Sequence, residues 1–220
     1  GLIGFVIGDL FLFKSFLLIG PRRSLLVMSL WPAIAAALGV FLLQEILTLY
    51  DLCGMAVTLC GVAWVIRERR AAHPVYKTEN LFRGTVYAFI GAVCQALGLV
   101  LSKMGMQVQG GEGAQYDAFA ATEIRALAGM AGFLILTTFF RRWNSIGRAT
   151  LRPRAMILIT AGAGTGPFLG VALSLLAVHY TETGIAATLM ATAPVLVIPL
   201  VVLTGEEKVT TRALVGAGVA

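Results

Sequence analysis

Few ionisable side chains lie inside the apolar stretches of this sequence, and Asp9 has the most informative position among them. It precedes Arg22 by 13 residues, which corresponds to about 20 Å along a helix that rises ~1.5 Å per residue. A carboxylate so deep in an apolar segment is costly and usually faces a bundle interior or a water-filled cavity. Asp9 is therefore a candidate proton-binding or substrate-binding group, and the alternative is a structural hydrogen bond to a neighbouring helix.

Four further side chains are candidates for the wall of a cavity between helices. Gln95 lies in the middle of an apolar segment and Tyr87 shares its helix face; the alternative for Gln95 is a hydrogen bond that joins two helices. Trp31 offers a flat apolar surface, although core packing is the alternative. Phe168 lies in a segment that also contains glycine and proline.

The sequence contains no recognisable catalytic or nucleotide-binding motif. It has no HExxH, no paired aspartates in a GxGD motif and no Walker motif. Glu207 and Arg212 are close to the EExxxR pattern of membrane-embedded peptidases, but four residues separate them, and no HxxxB partner is found. The three cysteines form no CxxC pair. We expect no catalytic residue, metal or cofactor, and we keep an intramembrane enzyme or a non-transporting sensor or scaffold as alternatives.

The composition indicates an all-α integral membrane protein. Hydrophobic residues make up 58% of the chain and charged residues 13%, whereas a soluble domain has roughly 25% charged residues. No segment alternates as a strand of a membrane barrel does, so the apolar segments are predicted to be helices. The chain begins and ends inside apolar runs, so we expect further helices on both sides.

The sequence contains about eight apolar segments that are predicted to cross a bilayer, of which the eighth is cut off by the end of the sequence. They cover residues 1–19, 24–43, 52–66, 84–104, 118–140, 155–178 and 184–203, with the last beginning near residue 211. Glu123, Arg125, His179 and Glu182 fall near predicted segment ends. We expect these four side chains at the membrane interface.

The connecting loops fall into two sets of opposite charge. Lysines and arginines occupy the loops at 20–23, 67–83, 141–154 and 205–212. The loops at 44–51, 105–117 and 179–183 contain acidic residues and no lysine or arginine. The positive-inside rule places the basic set in the cytoplasm. The net charge of +6 is thus a topology and lipid-contact signal, and it does not indicate a nucleic-acid partner.

An internal repeat organises the chain. Residues 24–54 read SLLVMSLWPAIAAALGVFLLQEILTLYDLCG, and residues 186–216 read AATLMATAPVLVIPLVVLTGEEKVTTRALVG. Pairs of identical residues are separated by 162 positions, and they include Pro32 with Pro194, Glu45 with Glu207, Thr48 with Thr210, and Gly54 with Gly216. Two membrane-length copies around a central site are typical of secondary transporters.

The repeated prolines and glutamates suggest mechanical and electrostatic roles. Pro32, Pro194 and Pro199 are predicted to bend their helices, either as hinges or as static kinks, because proline removes a backbone hydrogen bond. Glu45 and Glu207 follow the ends of their helices, where each is expected to cap the next helix; the alternative is binding of a coupling ion.

The sequence resembles the EamA repeat of the drug/metabolite transporter superfamily. The resemblance is carried by Gly8-Asp9, Pro32, Gln44-Glu45-Ile46-Leu47-Thr48, Gly54 and Gly61, and in the second copy by Pro194, Gly205-Glu206-Glu207 and Gly216. It implies a multi-helix bundle of two inverted five-helix repeats, about ten helices in the full protein. Residues 1–70 would be the C-terminal part of the first repeat, 71–83 a basic linker, and 84–220 the second repeat with its last helix truncated.

The resemblance also implies export or uptake of a small metabolite or drug by alternating access. The expected partners are a small-molecule substrate and the lipid bilayer, with proton coupling and oligomeric state left open. The expected location is a bacterial inner (plasma) membrane. The family pattern would end segment 1–19 outside the cell, whereas the charge distribution ends it inside. Either the orientation is reversed or the number of helices before Gly1 differs by one.

Overall fold

A computed structural model of the chain describes residues 1–68, 78–108, 117–141 and 153–193, together with residues 143, 147 and 150. All regular elements in these ranges are helices. A π-type segment, Leu2–Gly8, is followed by α1 (Asp9–Met28), α2 (Trp31–Leu43), α3 (Leu49–Glu68), α4 (Thr78–Val108) and α5 (Ala118–Phe139). Then come α6 (Pro153–Ala163), a second π-type segment, Gly164–Gly170, α7 (Val171–Tyr180) and α8 (Thr183–Ala191).

Five stretches of the described chain are long and apolar enough to cross a membrane. They are Leu2–Pro21, Arg23–Leu43, Asn80–Gln107, Ala118–Phe139 and Met156–Tyr180. They match predicted segments, and a shorter apolar helix, Leu49–Trp64, matches the predicted segment 52–66. Helix α4 begins at Thr78, earlier than predicted, so the end of the expected basic linker is helical. The second half of segment 184–203 and the segment from residue 211 lie outside the described residues.

A sharp break at Gly20 divides α1 into two arms. Gly20 has φ 79° and ψ 160°, a backbone conformation that is nearly restricted to glycine. The Ser15 and Ser24 side chains, both fully buried, join the two arms through an Oγ–Oγ contact of 2.5 Å. Ser24 Oγ also donates to the Gly20 carbonyl at 2.9 Å. The turn predicted at residues 20–23 is therefore confirmed at its first residue.

The bend associated with Pro32 lies before the proline, whereas the sequence predicts it in the middle of a continuous helix. Helix α1 ends at Met28, Ser29 and Leu30 form a turn, and Pro32 is the second residue of α2. A proline ring clashes with the carbonyl of the residue four positions earlier, which here is Met28. The helix therefore breaks in the turn before Pro32, and the proline occupies a first-turn position that needs no N–H donor.

The backbone itself repeats with the spacing found in the sequence. The two π-type segments, Leu2–Gly8 and Gly164–Gly170, are related by 164 − 2 = 162 and 170 − 8 = 162 positions. The turn at Leu30 has its equivalent at Thr192, two residues before Pro194. Each repeat thus contains a π-type segment and, later, a helix break just before its proline. The fold is a helical bundle of two repeats.

Helix α4 lies at the centre of the bundle. It packs against α1, α2 and the first π-type segment, and also meets α5, α7 and α8. Ala88, Ala92 and Ala96 repeat every four residues along it, and all three are fully buried. Small side chains at this spacing let neighbouring helix backbones approach closely. This contact surface holds α1, α2 and the first π-type segment against α4.

The outer surface of the bundle is apolar. Leu17 is 84% exposed and Ile135 is 68% exposed, on helices whose other faces are packed. An apolar exterior of this kind is stable in lipid and unstable in water. The chain is therefore a multi-pass integral membrane protein.

Candidate functional site

Asp9 and Gln95 form a polar pair between two membrane-spanning helices. Asp9 is the first α-helical residue after the π-type segment Leu2–Gly8, and π-type turns often occur at functional positions. Gln95 Nε2 donates a hydrogen bond of 2.9 Å to Asp9 Oδ1. The two candidates that the sequence indicated separately are thus in direct contact. Both side chains are half-buried, so each keeps access to further partners.

Arg125 extends from α5 into the same region. Its Nη1 donates to the Gly98 carbonyl at 3.3 Å and to Ser102 Oγ at 3.1 Å. The Phe5 ring lies over the guanidinium group, with 4.9 Å between its centroid and Cζ, close enough for a cation–π interaction. Arg125 also interacts electrostatically with Asp9. The residue is only 7% exposed, so our expectation that it lies at the membrane interface is wrong.

Two glycines make room for this arginine between the helices. A Cβ atom added at Gly98 would lie 3.1 Å from the Gly4 Cα atom, and one added at Gly4 would lie 3.3 Å from Arg125 Nη2. Both distances are tighter than ordinary van der Waals contacts. The absence of side chains at both positions therefore permits the helices to approach and the guanidinium group to pass.

A second buried polar cluster joins distant parts of the chain near one end of the bundle. Glu45 and Lys103 form an ion pair of 2.7 Å, and their side chains are 8% and 9% exposed. Glu45 also accepts from the Thr183 backbone N–H at 2.8 Å and from Thr183 Oγ1 at 2.6 Å. Lys103 Nζ donates to the Thr181 carbonyl at 2.6 Å. Glu45 precedes α3, Lys103 lies on α4, and the two threonines stand at the start of α8.

Glu45 caps a helix, but not the one that we expected. The next helix, α3, is capped locally: the Thr48 N–H donates to Asp51 Oδ2 at 2.8 Å, and Asp51 N–H donates to Thr48 Oγ1 at 3.3 Å. Glu45 instead accepts from the N-terminus of α8, 138 residues later. Gly54 lies on an exposed face with no atom near its missing side chain. Pro194, Pro199, Glu207 and Gly216 lie outside the described residues.

The remaining cavity candidates do not join these polar clusters. Trp31 is half-buried and packs against the buried apolar core, which agrees with core packing, the alternative to a place in the cavity wall. Tyr87 packs against Phe11, with 5.4 Å between ring centroids. Phe168 is 46% exposed in the second π-type segment, and none of the hydrogen bonds of Asp9, Gln95 or Arg125 involves it. Of the five cavity candidates, only Asp9 and Gln95 are in hydrogen-bond contact with each other.

Lys103 and Arg125 are the important residues that our sequence reasoning missed or misplaced. Both stand close to the ends of predicted segments, where charged side chains usually reach the interface. One signal was available: each is a cation within an otherwise apolar run, with candidate acidic partners elsewhere in the chain. Among the described residues, no group of three or more His, Cys, Asp and Glu side chains could hold a metal ion.

The fold and these buried clusters define a polytopic membrane protein with polar groups inside an apolar helical shell. The family model described as "EamA-like transporter family" matches residues 1–67 and 82–220. The chain therefore belongs to the EamA-like transporter family. The comparison with curated proteins gives no match.

The fold is also similar to that of a solved structure. A chain described only as "Crystal structure of protein" matches with a TM-score of 0.70 and 21% identity, over 99% of this chain and 69% of that chain. At this identity the match supports the shared fold and carries no information on substrate. Family membership supports transport across a membrane as the class of activity and speaks against an enzyme.

Proposed function

We propose that the protein is a proton-coupled secondary transporter that moves a small organic metabolite or drug by alternating access, in the direction of export. The observation that carries this proposal is the Asp9–Gln95 pair, a carboxylate and its hydrogen-bond donor placed within membrane-spanning helices at 2.9 Å. A carboxylate in such a place can take up and release a proton as its surroundings change. Asp9 is the proposed coupling residue.

The repeat symmetry supports a special role for Asp9. The position related to it by 162 residues is Val171, which follows the second π-type segment in the same way. The two repeats thus share a backbone feature, but the described residues place a carboxylate after it in the first repeat alone. A group that serves packing would be expected in both copies, whereas a coupling group needs to occur once.

The Glu45–Lys103–Thr183 cluster supports alternating access. It joins the two repeats near the end of the bundle where the loops lack lysine and arginine. Its hydrogen bonds connect the segment between α2 and α3 with α4 and with the start of α8. These parts can therefore separate only if the ion pair and the capping bonds break. We propose that this cluster closes one side of the transporter and that it opens when the site faces that side.

The test uses the intact protein in proteoliposomes that contain a pH-sensitive dye. Amino acids, nucleosides and cationic drugs are screened for solute-dependent proton movement, and the wild type is compared with Asp9→Asn. The matched control is Asp51→Asn, because Asp51 is a carboxylate at a helix start whose hydrogen bonds to Thr48 lie within one turn. We expect proton movement to be lost in Asp9→Asn and kept in Asp51→Asn.

Each outcome of this experiment has a definite meaning. Proton movement that survives in Asp9→Asn would keep the transporter and exclude Asp9 from coupling. Radiolabelled counterflow of the same solutes is measured in parallel, and counterflow without proton movement in the wild type would show an uncoupled carrier. Absence of both for every solute of the panel would favour the alternative of a non-transporting membrane sensor or scaffold.

A further inference from the structure

Arg125 is a buried cation that the proposed coupling step does not use. It is 7% exposed. Its Nη1 donates to the Gly98 carbonyl and to Ser102 Oγ, and the Phe5 ring covers the guanidinium group. None of these three partners carries a negative charge. A buried cation is unfavourable unless a charge of opposite sign acts on it, and the carboxylate that acts on Arg125 is Asp9.

Gln95 stands between Asp9 and Arg125. Its Nε2 donates to Asp9 Oδ1 at 2.9 Å. A Cβ atom added at Gly4 would lie 3.7 Å from Gln95 Oε1 and 3.3 Å from Arg125 Nη2, so both atoms border the space that this glycine leaves open. The amide thus presents its donor end to the carboxylate and its acceptor end to the side of the guanidinium group. The three side chains form a polar row that crosses α1, α4 and α5.

The orientation of the Gln95 amide suits an ionised Asp9. An ionised carboxylate only accepts hydrogen bonds and so needs the N–H₂ end of the amide, whereas a protonated carboxyl group also needs an acceptor for its O–H. Turning the amide over would bring Oε1 to Asp9 and direct the N–H₂ group, the positive end of the amide dipole, toward Arg125. A cation repels that end and attracts Oε1. Arg125 therefore favours the amide orientation that stabilises a negative charge on Asp9.

The other titratable groups around Asp9 do not duplicate this effect. Among the described residues, Arg125 is the charged side chain whose field acts on Asp9. The thiol of Cys94 and the phenol of Tyr87, both on α4, lie beside residues that flank Asp9, and such groups are uncharged near neutral pH. Arg125 is thus the charge to vary in an experiment. Three other charged side chains of α1, α4 and α5 are exposed, namely Lys14, Arg83 and Glu123.

We propose that Gln95 and Arg125 are positioning residues that set the proton affinity of Asp9, with Gln95 transmitting the charge of Arg125 to the carboxyl group; the proposal rests on the transport function given above, in which Asp9 is the coupling residue. An isolated carboxyl group inside an apolar bundle stays protonated, because burial disfavours its charged form. The amide donor of Gln95, held in its orientation by Arg125, stabilises the ionised form instead. Asp9 can therefore release its proton as well as bind it.

The test measures the protonation of Asp9 itself and does not depend on transport. The intact protein in detergent is titrated with acid and base, and the infrared C=O stretching band of protonated carboxyl groups is recorded. The part of this band that is missing in Asp9→Asn belongs to Asp9, and its intensity against pH gives a midpoint. The variants are Arg125→Gln, Arg125→Lys, Gln95→Leu and the combination of Gln95→Leu with Arg125→Gln. The control is Lys14→Met, because Lys14 is an exposed cation on the same helix as Asp9.

We expect Arg125→Gln to move the midpoint by about 1 pH unit toward higher pH, because a positive charge that favours the ionised form is lost. Arg125→Lys keeps the charge and should keep the midpoint near that of the wild type. Gln95→Leu removes the donor to the ionised form and should also raise the midpoint by about 1 pH unit. The double variant should shift less than the sum of the two, because without the amide Arg125 has nothing to orient. Lys14→Met should leave the midpoint unchanged, since an exposed charge is screened.

The outcomes separate this proposal from the proposed function. An unchanged midpoint in Gln95→Leu would overturn the positioning role even if Arg125→Gln fails to fold. Additive shifts would also overturn it, because Arg125 would then act through its field alone. Midpoints that shift as expected, in a protein whose proton movement survives Asp9→Asn, would keep the positioning role and reject Asp9 as the coupling residue. Proton movement that is lost in Asp9→Asn, with midpoints unchanged in both Arg125→Gln and Gln95→Leu, would do the reverse.

Discussion

The buried pair of Glu45 and Lys103 allows a quantitative prediction. Replacing Glu45 by alanine leaves Lys103, which is 7% exposed, with the Thr181 carbonyl as its remaining partner among the described residues. Removing one member of a buried ion pair costs about 3–5 kcal/mol. The same substitution removes the acceptor of the Thr183 N–H at the start of α8, and loss of such a cap costs about 1 kcal/mol.

The loss of the hydrogen bonds themselves is a smaller effect. An average hydrogen bond between side chains of membrane helices contributes only ~0.6 kcal/mol, so the unpaired charge dominates the total. We therefore expect Glu45→Ala to lower the free energy of unfolding by about 4 kcal/mol. Glu45→Gln keeps one oxygen for Thr183 and should lower it by about 2 kcal/mol, within the range for one unsatisfied buried group.

The assay is a double-mutant cycle with Glu45→Gln, Lys103→Met and the combined variant. Unfolding of the intact protein is followed by titration with sodium dodecyl sulfate in mixed micelles. The combined variant should be less destabilised than the sum of the single variants, with a coupling energy of at least ~1 kcal/mol. Lys14→Met is the control, because Lys14 is exposed and its removal should change the free energy by less than about 0.5 kcal/mol.

Additive effects of the two single substitutions would refute this reasoning. So would a loss for Glu45→Ala no larger than that for Lys14→Met. Either result would mean that water reaches the pair, or that Glu45 and Lys103 interact about as strongly in the unfolded state. In neither case could the cluster act as a closed connection between the repeats.

Two glycine positions give further predictions. Gly98→Ala should lower the free energy of unfolding by about 1–3 kcal/mol, because its Cβ would lie 3.1 Å from the Gly4 backbone; Gly105→Ala on the same helix, where no atom lies within 4 Å, should be neutral or stabilising. Equal effects of the two would contradict the close approach. Gly20→Ala should cost about 1–3 kcal/mol because of its φ of 79°, and an unchanged midpoint in detergent-solubilised thermal unfolding would show that α1 straightens without strain.

The bundle could be predicted from the sequence because lipid allows few backbone arrangements. Long apolar runs must form helices when no water is present to satisfy the peptide groups. The 162-residue spacing was visible in Pro32, Glu45 and Gly54 and their equivalents. The structure extends that spacing to the π-type segments, whose shared residues are two glycine pairs, Gly4 with Gly166 and Gly8 with Gly170. Glycines are frequent in this chain, so these two pairs are a weaker signal than a shared proline or charge.

The exact place of the helix break near Pro32 was harder to predict. A proline marks a weakened turn, but its ring acts on the carbonyl four residues before it. The break therefore falls at Ser29 and Leu30, within the turn that precedes the ring. The proline in the sequence predicts that a bend is present. The position of the bend follows from the clash between the proline ring and the carbonyl four residues earlier.

The candidate site could be predicted only for residues whose own position in the sequence is unusual. Asp9 stood out because a carboxylate at the middle of a span has no interfacial explanation. Arg125 and Lys103 had such an explanation, since a long side chain near a helix end normally reaches water. Their burial depends on Gly4 and Gly98 and on Glu45, which are distant in sequence, so it is a tertiary property.

The capping of α8 by Glu45 also has a consequence for biosynthesis. The ribosome delivers Glu45 to the membrane first, Lys103 next and Thr183 much later. Glu45 and Lys103 can already meet when the chain has emerged to α4, since they contact each other directly. The start of α8 then finds a preformed acceptor when it is inserted. The earlier helices in this way provide a template on which the start of α8 is placed.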